Sequence, residues 1–138
     1  MKASHLVALF LAVVVAPLLL DGPSLSAQSS AGTTSEGVYS DEQSDRGKEV
    51  FEWVCSECHL PAEFKGIIED WAGSSVFDVY DQIRTTMPED GPGSLRNQEY
   101  ADVVAYILDL NGVPAGAGEL AADPDAMREI SVAEPPRN

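Results

Sequence analysis

The chain has 138 residues, 8 basic and 23 acidic, for a formal charge of −15 at pH 7. That length holds one small domain with accessory segments. So acidic a surface argues against nucleic acid or anionic lipid as a partner, and favours either plain solubility or a partner with a basic face.

At the N-terminus come Lys2, an apolar run from Leu6 to Leu20 broken by Pro17, and polar Asp21-Gly22-Pro23-Ser24, with Leu25-Ser26-Ala27 as a small-residue cleavage site. This is the layout of a secretory signal peptide over residues 1–27. As a helix the apolar run rises about 22 Å, short of the roughly 30 Å hydrocarbon core of a bilayer. The expectation is export to the periplasm without stable membrane insertion after cleavage; a retained leader would leave the chain membrane-associated. Lys2 and Asp21 cancel, so the mature chain keeps the acidic excess, and loss of His5 leaves His59 as its only histidine.

Residues 28–39 are small and polar and read as a flexible lead-in. Ser40 is placed as an N-cap, with Gln43 three residues on completing a capping box. The first helix is expected from about Asp41 to Val54 or on into the residues that follow, with Gly47, Val50, Phe51 and Val54 on one apolar stripe. Gly47 inside a helix costs about 1 kcal/mol relative to Ala, which a close helix crossing would explain.

The helix runs into Cys55-Ser56-Glu57-Cys58-His59. C-x-x-C-H is the attachment signature of a c-type haem: two thiols from one turn add to the two vinyl groups, and the next histidine is directed at the iron. Two other chemistries share part of the pattern. A redox disulfide usually sits in a βαβ unit, which is not visible here. A zinc site needs four protein ligands, whereas the mature chain has two cysteines and one histidine.

Pro61 stops any helix continuing past His59. Phe64, Ile67, Ile68 and Trp71 are expected to face the haem or the core; Trp71 suits packing on a haem face, an indole N–H bond to a propionate, or an ordinary core partner. Ser74 or Ser75 caps a short helix through Arg84, with Val76, Val79, Tyr80 and Ile83 on one face. It leads to Thr85-Thr86-Met87-Pro88. A thioether is the usual sixth ligand in electron-carrying haem proteins, and the chain between His59 and Met87 is long enough to pass round the haem to its other face. Met1 falls in the leader and Met127 in the tail, so Met87 is the candidate.

Glu89-Asp90-Gly91-Pro92-Gly93 is a turn-rich connector. Ser94 or Asn97 caps a last long helix to about Leu110, stopped by Asn111-Gly112 with Pro114 beyond. Tyr100, Val103, Val104, Ile107 and Leu110 form its stripe, expected to cross the Gly47/Phe51 face. Residues 113–138 read as a partly disordered extension, with a short helix from Asp123-Pro124 that turns Met127 and Ile130 inward.

Over about residues 40–112 the sequence resembles the class I monohaem cytochrome c family. The matching pieces are the first helix with Gly47, Phe51 and Val54; the Cys55–His59 motif; Thr86-Met87-Pro88; and Leu95…Glu99-Tyr-Ala-Asp-Val-Val-Ala-Tyr-Ile-Leu108. The run from Met87 to Gly116 is similar to the cytochrome c module found with bacterial quinoprotein dehydrogenases. After His59 the chain departs from mitochondrial cytochromes c, lacking their longer Gly-Pro-x-Leu loop.

The resemblance implies an all-α class I cytochrome c fold, three to four helices wrapped around one covalently bound haem c. It implies thioethers at Cys55 and Cys58, and His59 and Met87 as axial iron ligands. The implied role is that of a single-electron carrier, not itself an enzyme, between a quinoprotein or other dehydrogenase and an acceptor such as a terminal oxidase. The alternative is an electron-transfer subunit of a quinoprotein dehydrogenase complex. A di-haem peroxidase would need a second C-x-x-C-H, which the sequence lacks.

Overall fold

A computed structural model describes residues 32–134, in which four α-helices follow in order: α1 (Asp41–Val54), α2 (Val76–Thr86), α3 (Asn97–Leu110) and α4 (Pro124–Arg128). The expected leader lies outside the described residues. Among those described, no helix is long and apolar enough to cross a membrane.

The α1–α3 crossing organises the rest. It is close because Gly47 offers no side chain: a Cβ there would overlap the Asp102 carbonyl and come within 3.0 Å of Tyr106 Cβ. The expected reason for Gly47 holds. Phe51, one turn on, packs edge-on against Tyr106, with ring centroids 5.5 Å apart. In α3 every residue from Tyr100 to Leu108 is buried, so the helix is enclosed all round rather than along one stripe.

Two caps differ from expectation. Ser40 does accept the Gln43 N–H, at 3.2 Å, but Gln43 does not answer it. Its side chain is fully buried. Gln43 Nε2 donates to Asp102 Oδ1 (3.0 Å) and to the Leu120 carbonyl (2.9 Å), while its Oε1 accepts the Leu120 N–H (2.7 Å). Position 43 faces inward, and these buried groups need partners that water cannot supply there. Gln43→Leu should therefore cost about 2–3 kcal/mol, read from the denaturant midpoint, with amide protection falling most near Leu120.

At α3 neither Ser94 nor Asn97 caps. The helix starts after Arg96, whose N–H is accepted by Glu99 at 2.8 Å while its guanidinium holds the other carboxylate oxygen at 2.8 Å. That pairing keeps the Glu99 carboxyl below its usual range. α2 is capped by Ser75, as expected, through a reciprocal pair with Asp78, and runs on to Thr86, two residues past Arg84.

The segments either side of the domain are ordered against each other. Gly32–Thr33 and Ile130–Ser131 form a parallel strand pair, a small addition to an otherwise helical fold. Thr34 and Tyr39 are fully buried, so residues 32–39 are a packed part of the fold rather than a loose lead-in. Tyr39 donates its hydroxyl to the Val113 carbonyl (2.6 Å), and its own carbonyl accepts the Gly116 N–H (2.6 Å). Leu120, Met127 and Val132 of the extension belong to the core. Alternating polarity does not reveal such packing, because the partners lie far away in sequence, 99 residues apart for Thr34 and Ala133.

Candidate functional site: an apolar cleft between α1, α2 and α3

The last turn of α1 tightens into a 3₁₀ turn over Cys55–Glu57. The Cys55 carbonyl accepts both the Cys58 N–H (3.1 Å) and the His59 N–H (2.9 Å), winding the motif into one turn. Both thiols are free; Cys58 is exposed, and Cys55 is half-buried, its pKa pushed up by that burial.

Leu60 is extended and Pro61 opens the next 3₁₀ turn, which turns the chain back on the motif. Glu63 Oε2 accepts the Leu60 N–H at 2.9 Å and lies 3.7 Å from His59 Nδ1, too far for a hydrogen bond. The His59 ring stands edge-on to Phe64, centroids 5.5 Å apart, and Phe64 stands edge-on to Phe51 at 5.3 Å. Asn111, expected only as a helix stop, brackets this loop to α3. Its amide donates to the Phe64 carbonyl (2.8 Å) and its oxygen accepts the Gly66 N–H (2.6 Å).

Met87 is the residue at which α2 ends, its N–H still donating to the Ile83 carbonyl at 2.8 Å. The peptide to Pro88 is cis. Cys55, Cys58, His59 and Met87 all line one cavity of about 500 Å³, walled by Phe51, Phe64, Ile83, Leu95, Val103 and Ile107. A smaller cavity of about 200 Å³, bordered by Trp71, Ile68 and Gln82, shares His59, Phe64, Ile83, Met87 and Ile107 with it. Met127 is fully buried in the core and lines neither.

The volume and the apolar wall suit a cofactor-sized ligand. Two thiols, a ring nitrogen and a thioether on one apolar lining are the donor types that would hold a haem here. Among the described residues no three His, Cys, Asp or Glu side chains are grouped so that they could hold a metal ion by themselves. Three carboxylates, Glu57, Glu89 and Asp90, also line the larger cavity, and among the described residues no Lys or Arg does.

Sequence reading missed two contributors. Tyr100 was expected as core, yet its hydroxyl reaches the Met87 carbonyl. Asn111 follows a helix end, where Asn is ordinary punctuation. In both cases only the helical position was visible beforehand.

Residues 42–107 match the family model described as cytochrome c oxidase, cbb3-type, subunit III. The match supports a c-type cytochrome, and with it haem, electron transfer and redox protein partners. The helical fold is compatible with that of cytochrome c. No curated protein and no solved structure matches the chain.

Proposed function

We propose that the mature chain is an exported, periplasmic electron carrier holding one haem c through thioethers at Cys55 and Cys58, with His59 and Met87 as axial ligands. The observation that carries this reading is the meeting of those four side chains on one apolar cavity. Haem, when bound, supplies the Fe(III)/Fe(II) couple.

The chain's own residues do the rest. Cys55 and Cys58, on one turn, would hold the haem through thioethers, and His59 and Met87 would both ligate the iron, which would leave no coordination site for a substrate. With the iron so ligated, the haem would supply outer-sphere electron transfer. The apolar wall keeps water away, and thioether ligation raises the potential, which suits an acceptor from a dehydrogenase and a donor to a terminal oxidase.

Glu57, Glu89 and Asp90 on the lining favour a partner with a basic face, met at a salt-sensitive rate. Trp53 and Leu60, the large apolar side chains left most exposed among the described residues, stand just before and after the motif in sequence.

A pyridine-haemochrome spectrum with intact mass tests this reading. The expected result is one covalent haem on a chain beginning at Gln28; a colourless chain of unmodified mass sinks it. A second reading, an electron-transfer subunit of a quinoprotein dehydrogenase, is favoured by the similarity of the run from Met87 to Gly116. Stable co-purification with a large dehydrogenase would select it over a free shuttle.

A further inference from the structure

The loop that follows α2 is fastened at both ends by one buried oxygen. Tyr100, in the first turn of α3, is 1% exposed. Its hydroxyl donates to the Met87 carbonyl at 2.8 Å and accepts the Leu95 N–H at 3.4 Å. The Tyr100 ring stands edge-on to Tyr80, centroids 6.3 Å apart at 84°, which holds it in place. Met87 thus has both backbone groups engaged, the N–H by Ile83 and the carbonyl by Tyr100. Between the fastened ends the loop winds on itself through Gly91 N–H to the Pro88 carbonyl (3.0 Å) and Ser94 N–H to the Gly91 carbonyl (3.1 Å).

We infer that Tyr100 is the positioning residue of the sixth ligand: its hydroxyl clamps the base of the Met87–Leu95 loop and keeps the thioether in the cavity. The inference rests on the reading of Met87 as an axial ligand. Tyr100 acts without contact to iron, by setting how often the loop opens. An external ligand competes for the iron only in the open state, so its apparent affinity scales with the open population. A buried hydrogen bond has a net worth of roughly a fivefold change in such an equilibrium.

The test uses the oxidised holoprotein, titrated with imidazole and followed by the Soret band and the iron–sulfur charge-transfer band. Tyr100→Phe should keep the charge-transfer band without imidazole yet bind imidazole roughly fivefold more tightly. Tyr80→Phe, which removes the same oxygen from the neighbouring buried ring, should match the parent. Equal affinity in parent and Tyr100→Phe, or an equal gain in Tyr80→Phe, overturns the clamp.

Should Tyr100→Phe accumulate poorly, amide exchange at Leu95 in the unaltered holoprotein decides. Protection supports the clamp, and exchange at the rate of an open loop overturns it. Failure of the underlying reading shows separately: if Met87 is not the ligand, Met87→Ala leaves parental imidazole affinity unchanged.

Discussion

Met87→Ala should remove the iron–sulfur charge-transfer band of the oxidised protein and lower its reduction potential by on the order of hundreds of millivolts, within the ~0.8 V that axial ligands span. The direction follows from the ligand: a neutral, soft thioether stabilises Fe(II) more than the water or hydroxide that would replace it. The fold should survive the change. Met87 is only half-buried, so its truncation costs less than the roughly 2–5 kcal/mol of a fully buried Met→Ala. Its backbone stays engaged by Ile83 and Tyr100 whatever the side chain. Redox titration with the near-infrared spectrum checks the prediction. An unchanged band would mean that another group holds the sixth position, and Met127 is a poor candidate because it is sealed in the core away from both cavities.

The sequence was most legible where chemistry is local. Ser40 before a periodic stretch marked the start of α1 at Asp41; its end, expected at Val54 or within the motif, falls at Val54, with a 3₁₀ turn continuing over Cys55–Glu57. Ser75 announced α2 because its reciprocal pair with Asp78 spans three residues. The start of α3 was misplaced because its N-cap is Arg96, a residue type outside the usual capping set, answered by Glu99 from the third helical position. Gln43 was misread for a related reason: its spacing from Ser40 fits a capping box, while its true partners, Asp102 and Leu120, lie far along the chain. Periodicity reports which positions face inward but not which polar atoms meet there. Tyr100 is the clearest case, placed in the core by its spacing and given its role by a carbonyl thirteen residues upstream. Likewise, the motif named Cys55, Cys58 and His59 outright, but only the arrangement of α1, α2 and α3 brings Met87 onto the same cavity.

Gly47→Ala sets two magnitudes against each other. Alanine gains about 1 kcal/mol of helix propensity over glycine, which alone would make the variant more stable. The added methyl, however, would overlap the Asp102 carbonyl, so α1 and α3 must separate. Asp102 cannot yield easily. Its carboxylate is held by Gln43, by Gln98 at 2.8 Å and by Arg46 at 3.2 and 3.3 Å, and Arg46 is itself tied to Glu119 at 2.9 and 3.0 Å. Overpacking typically costs about 1–3 kcal/mol, and against a backbone so restrained the upper end applies. The net expectation is a loss of about 2 kcal/mol, larger for Gly47→Val, measured by denaturant midpoint. A midpoint at or above the parent's would show that the crossing has slack. The effect should also reach the site, because α1 ends in the turn that carries Cys55 and Cys58. Tilting α1 away from α3 moves both thiols relative to His59 and Met87, so the haem-to-protein ratio should fall along with stability. Glu49→Ala on the exposed side of the same helix should leave both unchanged.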